Sequence, residues 1–166
     1  MLLTEVQPAP GQVWPWHPEL MARPVPRYTS YPTAMEFGEG IGSDAVGRAI
    51  ADLPAATDVS LYVHIPYCHQ ICWYCGCNTG AANRTHRLEA YRVALDQELV
   101  MAARQLGGRA RVRRIAFGGG SPNALAPVDF VRLVDRLLIL FSADDPVLSI
   151  EIDPRSFSLD WALVLA

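Results

Sequence analysis

Three short runs of β-forming residues alternate with two segments of helical periodicity, and this order most constrains the fold. The runs are SLYVHI (60–65), VRRIAF (112–117) and VLSIEI (147–152), and each predicts a strand. Gly107 suits the end of the first helix, and Pro127 suits the first turn of the second. Apolar residues repeat at helical spacing at Leu88, Tyr91, Leu95, Leu99, Ala102 and Leu106, and again at Phe130, Leu133, Val134, Leu137, Leu138 and Phe141. Strand–helix–strand–helix–strand predicts a parallel α/β sheet with crossover helices.

A chemically distinctive motif follows each predicted strand. Cysteines follow the first strand, GGGSPN (118–123) follows the second, and Glu151 and Asp153 come at the end of the third. Parallel α/β folds assemble their sites at the carboxyl ends of the strands. We therefore expect the three motifs to face one cavity.

Composition and charge narrow the class of protein. The chain has 166 residues, of which 51% are hydrophobic and 19% charged, and this predicts a globular protein. Its net charge of −3 does not favour nucleic acid as a partner. The N-terminus lacks the basic and apolar regions of a secretion signal, and no apolar run reaches the roughly 18 residues of a membrane span. We expect a soluble, cytoplasmic protein without a membrane span.

All four cysteines lie close together, at Cys68, Cys72, Cys75 and Cys77. Disulfides would close no useful loop at such short spacing. Structural zinc usually takes two separated CxxC pairs, and the chain has no second pair. The CxxxCxxC spacing can place three thiolates around an iron–sulfur cubane and leave one iron without a cysteine. Zinc and inert buried thiols remain the alternatives.

Four motifs in order carry a resemblance to a known family: RYTSYPTA, YVHIPYCHQICWYCGCN, GGGSPN and SIEIDPRS. They resemble the oxygen-independent coproporphyrinogen III oxidases of the radical S-adenosylmethionine (SAM) superfamily, over residues 23–156. The resemblance implies the N-terminal part of a radical SAM, TIM-like barrel with parallel strands. It also implies a [4Fe-4S] cluster and SAM as cofactors.

The resemblance assigns roles to individual residues. Cys68, Cys72 and Cys75 would ligate the cluster, and Cys77 would be required for activity without being a ligand. The positions that match SAM contacts in the family are Tyr62, Tyr74, Gly119, Gly120, Ser121 and Glu151. Each assignment has a plainer alternative. The glycines could form only a tight turn, Tyr62 and Cys77 could be packing residues, and Glu151 could form a structural salt bridge.

The implied reaction is oxidative decarboxylation of two propionates of coproporphyrinogen III to vinyl groups, which gives protoporphyrinogen IX in heme biosynthesis. The partners would be the tetrapyrrole substrate, an unidentified electron donor and an unidentified acceptor, and the complete enzyme would be a monomer. Two alternatives stay open. A heme chaperone of the same superfamily would bind heme without turnover, and a zinc-stabilised interaction domain would contain no iron.

The predicted organisation has two parts. Residues 1–55 form a proline-rich N-terminal segment with a short helix within 43–54, and residues 56–166 form the first βα units of the barrel. In the N-terminal segment, Arg27 and its neighbouring tyrosines could meet a substrate propionate or simply pack as an extended tail. A complete TIM barrel needs about 250 residues. We therefore expect a truncated barrel whose sheet edges and apolar helix faces are exposed.

Overall fold

A computed structural model of the chain describes residues 36–73, 75, 79–82 and 85–166. The RYTSYPT motif, Tyr74 and Cys77 lie outside the described residues. Residues 41–166 form one compact unit. The described helices are α1 (Ser43–Ala51), α2 (Thr85–Leu106), α3 (Pro127–Leu140) and α4 (Leu159–Leu165). The described strands are β1 (Thr57–Ile65), β2 (Tyr67–Cys68), β3 (Gly80–Ala81), β4 (Ala110–Gly119) and β5 (Val147–Ile150).

Three of these strands form a parallel sheet in the order β1-β4-β5. Ile65 of β1 lies opposite Gly119, and Phe117 of β4 lies opposite Ile150. The carboxyl ends of the three strands therefore meet at one edge. Strands β2 and β3 form a separate two-residue parallel pair, which carries Cys68 beside that edge. The predicted parallel sheet is confirmed.

The predicted strand limits differ from the observed ones. The first two strands are longer than predicted, and at their amino ends Asp58 of β1 forms ion pairs with Arg111 (3.0 Å) and Arg113 (3.4 Å) of β4. The third strand ends at Ile150, so the prediction of a strand through residue 152 is wrong. The chain turns because the amide of Asp153 donates to side chains rather than to β4. Glu151 consequently follows the strand directly.

The helices cover one face of the sheet and build the core. The most buried large side chains include Ile65, Ile115, Phe117 and Leu137, which come from β1, β4 and α3. An aromatic stack extends this core, because Phe130 of α3 contacts both Phe117 (ring centroids 4.8 Å apart) and Trp161 of α4 (5.1 Å). Burial of this kind contributes about 1.5–3 kcal/mol for each large apolar side chain. The core thus fixes the sheet edge on which the site is built.

Local signals set the ends of the two long helices. Helix α2 ends at Leu106, immediately before Gly107 (φ 57°) and Gly108 (φ 71°), whose left-handed conformations favour glycine. Helix α3 starts at Pro127, whose fixed φ suits the first helical position. Both predicted helices are confirmed. None of the described helices combines the length and the apolar character needed to cross a membrane.

The first helix belongs to the compact unit rather than to the segment before it. Ile50 of α1 and Leu53 after it pack against the hydrophobic core. The compact unit begins at Ile41, so it includes this helix. At the other end of the sheet, Val147 and Leu148 of β5 are exposed.

Candidate functional site

One cavity of about 450 Å³ opens at the carboxyl edge of the sheet. Residues from all three predicted motifs line it: Cys68, Cys72, Gly120, Ser121, Glu151 and Arg155. The motifs are far apart in sequence, and the parallel strands bring them together. The prediction of a common cavity is confirmed for the described residues.

The three described cysteines differ in how far they are buried. Cys68 is buried, Cys72 is half-buried and Cys75 is exposed. The loop is held by main-chain bonds, since the amide of Cys75 donates to the Cys72 carbonyl (3.0 Å) and the amide of Ala82 donates to the Cys68 carbonyl (2.8 Å). Burial raises the pKa of Cys68, the neighbouring Cys75, Cys72 and Asp153 raise it further, and Arg155 lowers it.

The chemistry of these donors fits an iron–sulfur cluster. Within the described part of the chain, no three His, Cys, Asp or Glu side chains are placed around a single metal ion. A cubane cluster needs a different arrangement, because each of its thiolate ligands binds a different iron and the sulfurs need not surround one point. Three soft sulfur donors on one loop suit this arrangement. The binding of a cationic cluster would also relieve the mutual repulsion of the thiolates.

Arg155 is a residue of this site that the sequence analysis did not single out. Its Nη2 donates to Cys72 Sγ (3.2 Å) and to the Gln70 carbonyl (3.0 Å). The same side chain pairs with Asp153, with Nε–Oδ1 at 2.9 Å and Nη2–Oδ2 at 2.7 Å. The available signal was a cation within SIEIDPRS, two residues beyond Asp153. The sequence could not show that Arg155 contacts the cysteine loop.

The three consecutive glycines allow close packing at the strand end. A Cβ added at Gly118 would lie 2.7 Å from Glu151 Oε2 and 2.8 Å from Tyr62 Oη. Gly119 has φ +110°, and a Cβ there would lie 2.6 Å from the His64 ring. A larger residue would therefore displace the groups that surround the strand end. Gly118 was not among the predicted site residues, although the GGG run pointed to it.

Gly120 and Ser121 tie the loop after β4 to the cysteine loop. The amide of Gly120 donates to the Ile65 carbonyl (2.8 Å), and the amide of Ser121 donates to the Tyr67 carbonyl (2.8 Å). A Cβ at Gly120 would lie 2.7 Å from both the main-chain N and O of Tyr67. The GGGSPN segment is thus both a turn and the wall against which the cysteine loop packs.

Ser121 and Asn123 form a buried hydrogen-bond network with the loop after β5. The Ser121 hydroxyl donates to Asn123 Oδ1 (2.5 Å), and the Asp153 amide donates to Ser121 Oγ (3.2 Å). Asn123 Nδ2 donates to the Asp153 carbonyl (3.0 Å) and to Ser156 Oγ (2.9 Å). The amide of Asn123 is therefore fully bonded to protein groups. Ser121 lines the cavity, but its hydroxyl is engaged within the protein.

Glu151 and Tyr62 lie on the open side of the sheet edge. Glu151 is exposed, its Oε2 accepts from the Gly119 amide at 3.4 Å, and among the described residues it forms no ion pair. Tyr62 is 59% exposed, so simple core packing does not describe it. Its hydroxyl lies 3.4 Å from His64 Nδ1. Both side chains are accessible to a ligand beside Gly118.

Comparisons with known proteins agree with this geometry. The chain is 40% identical to an oxygen-independent coproporphyrinogen III oxidase of Bradyrhizobium diazoefficiens, over 82% of this chain and 30% of that protein. It is 44% identical to the Escherichia coli protein of the same name, over 81% of this chain and 29% of that protein. Among solved structures, coproporphyrinogen III oxidase from Escherichia coli, described as a radical SAM enzyme, matches with a TM-score of 0.75 and 39% identity. That match covers 91% of this chain and 34% of the other.

These matches concern one part of longer proteins, because the chain spans about 30% of the length of the curated relatives. A family model, that of the radical SAM superfamily, matches residues 62–166. The match includes the cysteine loop, the GGGSPN segment and Glu151, which the fold gathers at one edge of the sheet. Since it covers more than half of the sequence, the chain belongs to the radical SAM superfamily.

Proposed function

We propose that the chain provides the cluster-binding and SAM-binding part of an oxygen-independent coproporphyrinogen III oxidase. The complete enzyme would oxidatively decarboxylate two propionates of coproporphyrinogen III to vinyl groups and yield protoporphyrinogen IX. The observation that carries the proposal is the single cavity where cysteine thiols, the loop after β4 and Glu151 meet. The names of the relatives, at 40% and 44% identity, support the choice of substrate.

Within the proposal, Cys68, Cys72 and Cys75 would hold the [4Fe-4S] cluster, and SAM would bind beside it. When bound, the cluster would supply the one-electron chemistry that cleaves SAM. Cys68 is buried, so its thiol would be shielded from water. The chain's own task is to fix these thiols and to bring the cofactor to them.

The proposed SAM contacts differ in the kind of interaction that each residue would make. Glu151 would accept hydrogen bonds from the ribose hydroxyls, and Gly119 and Gly120 would allow close approach of the cofactor to the main chain. Ser121 contributes cavity surface, because its hydroxyl is already bonded to Asn123 and Asp153. The exposed ring of Tyr62 is available to the cofactor. Tyr74 remains a proposed contact from the sequence.

Other parts of the proposal concern the complete enzyme. Cys77 is proposed to act in turnover rather than in cluster binding. The substrate is a tetrapyrrole, and the electron donor and acceptor are unidentified. We place the enzyme in the cytoplasm as a monomer, without nucleic acid as a partner.

The cofactor part of the proposal is tested on the chain itself. The protein is reconstituted anaerobically with iron and sulfide, and the reduced sample is examined by electron paramagnetic resonance (EPR) with and without SAM. We expect a cubane signal that changes on addition of SAM, because SAM binds the open iron. A Cys68→Ser variant is the matched control and should bind less iron. Folded protein that binds zinc and forms no cluster would contradict the proposal.

The substrate part is tested in a chimera, because the chain corresponds to only part of its relatives. The segment of the Escherichia coli enzyme that matches 136 residues of this chain is replaced by those residues. We expect SAM-dependent formation of protoporphyrinogen IX without oxygen. A Cys77→Ser chimera should retain the cluster signal and lose turnover. A chimera that takes up heme tightly, carries the cluster and never converts coproporphyrinogen III would favour the heme chaperone instead.

A further inference from the structure

Arg155 connects the cysteine loop to the loop after β5. One guanidinium nitrogen, Nη2, shares its two hydrogens among three acceptors: Cys72 Sγ (3.2 Å), the Gln70 carbonyl (3.0 Å) and Asp153 Oδ2 (2.7 Å). Nη1 lies 3.4 Å from Gln70 Oε1. Of these partners, Cys72 and Gln70 lie 83 and 85 positions away from Arg155 in sequence. The Arg155 side chain therefore links the cysteine loop to the loop after β5, which form two walls of the cavity.

The orientation of the guanidinium is fixed by Asp153. The carboxylate binds it through two nearly parallel contacts, Nε–Oδ1 at 2.9 Å and Nη2–Oδ2 at 2.7 Å. A bidentate pair of this kind is directional, and a lysine cannot reproduce its geometry. Asp153 is itself anchored, because its amide and carbonyl bond to Asn123. The contact with Cys72 thus rests on a buried network.

The charge of Arg155 acts on the thiols. A hydrogen bond and a positive charge at a ligand sulfur stabilise the more negative, reduced state of an iron–sulfur cluster. Asp153 carries the opposite charge and partly offsets the effect. At Cys72 the guanidinium is the group in direct contact, because Nη2 lies 3.2 Å from the sulfur.

We propose that Arg155 is a positioning residue that orients Cys72 and raises the reduction potential of the cluster. This inference rests on the proposed function, since it concerns the cluster held by Cys68, Cys72 and Cys75. The CxxxCxxC motif by itself does not predict this role for Arg155.

The test compares Arg155→Gln, Arg155→Lys and a matched control, Arg136→Gln, each in the whole chain. Arg136 is a close match, because both arginine side chains are 43% exposed and both contact an aspartate at 2.7 Å. Arg136 pairs with Asp96, which joins α3 to α2 instead of the cavity loops. After anaerobic reconstitution, iron retention is measured under chelator challenge and the midpoint potential by EPR-monitored redox titration.

We expect Arg155→Gln to weaken cluster retention by about 10- to 100-fold, the usual effect of losing a group that orients a metal ligand. Its midpoint potential should shift to a more negative value, because a positive charge has been removed. Arg155→Lys keeps the charge, so its potential should lie near that of the parent, while its retention stays reduced. Arg136→Gln should match the parent in both measurements.

Two results would overturn the inference alone: an Arg155→Gln cluster with the parent's retention and potential, or an Arg155→Lys potential shifted as far as that of Arg155→Gln. A parent chain that forms no cluster would instead overturn the proposed function, and this inference would fall with it. If circular dichroism shows that the apo form of Arg155→Gln does not fold, the test uses the cluster retention of Arg155→Lys. Parent-like retention in that variant would overturn the positioning role.

Discussion

The side chain of Asn123 and the main chain of Asp153 form two reciprocal hydrogen bonds. Asn123 Nδ2 donates to the Asp153 carbonyl, and the Asp153 amide donates to Asn123 Oδ1, both at 3.0 Å. Asn123 is only 1% exposed, so water cannot replace these bonds. The pair locks the loop after β4 to the loop after β5. It thereby sets the relative position of Ser121, Glu151 and Arg155 along the cavity.

Replacement of Asn123 by Ala should destabilise the fold. The amide and carbonyl of Asp153 would each lose a hydrogen bond to Asn123 and keep only the longer contacts to Ser121 and Ser156, and each lost bond costs about 0.5–1.5 kcal/mol. We expect a loss of about 2 kcal/mol or more in the free energy of unfolding, measured by urea denaturation of the apo chain. The control is Gln97→Ala on the exposed face of α2, which should change stability by no more than about 0.5 kcal/mol. Equal effects of the two substitutions would contradict the locking role.

A methyl group at Gly120 should disrupt the contact between the two cavity loops. It would lie 2.7 Å from the main-chain N and O of Tyr67, and a main chain cannot rotate away as a side chain can. We expect Gly120→Ala to cost about 1–3 kcal/mol and to reduce cluster binding, because Cys68 follows Tyr67 directly. The free energy of unfolding is measured by urea denaturation, and cluster binding is measured by the iron content after reconstitution.

The matched control for Gly120 is Gly47 in the exposed helix α1. No atom lies within 4 Å of a Cβ added at Gly47, so the substitution meets open space. Gly47→Ala should stabilise the chain by about 0.5–1 kcal/mol, since alanine loses less conformational entropy in a helix. If both substitutions stabilised the protein, the close approach of Gly120 to Tyr67 would not exist in solution.

Removal of the charge of Glu151 should weaken SAM binding and leave the cluster in place. Glu151→Gln keeps the shape of the side chain but replaces a charged acceptor by a weaker one. We expect about 10-fold lower SAM affinity, measured from the SAM-dependent change of the EPR signal at several concentrations. Asp144→Asn, at an exposed turn, is the control and should retain the parent affinity. An unchanged affinity in Glu151→Gln would remove this residue from the SAM site.

Stability at high pH should depend on Tyr91. Its hydroxyl donates to the His64 carbonyl at the end of β1, and burial, followed by Glu98 and Tyr67, raises its pKa to about 12 from the ordinary value of 10.0. Because the folded pKa is the higher one, the contribution is fully present below pH 10 and is lost as the pH rises from 10 to 12. In Tyr91→Phe, the free energy of unfolding should be about 1 kcal/mol lower near neutral pH. The difference from the parent should shrink above pH 10, and a constant difference would contradict the shift in pKa.

Local patterns in the sequence determined the helices and strands and the grouping of the cysteines. Helical repeats that end at Gly107 and begin at Pro127 gave α2 and α3, because these signals act within a few residues. The spacing of Cys68, Cys72 and Cys75 places three thiols on one loop whatever the rest of the chain does. The position of the motifs after parallel strands was enough to predict a common cavity.

Only the tertiary structure decided which distant groups meet at that cavity. Asn123 and Asp153 are 30 residues apart, and Arg155 and Cys72 are 83 apart. Their contacts depend on the register of β1, β4 and β5 and on the point where β5 ends, which was predicted two residues too late. No local pattern encodes that register, because it follows from the packing of the whole core against the sheet. For this reason the clustering of the three thiols on one loop could be predicted from the sequence, whereas the arginine that contacts one of them could not.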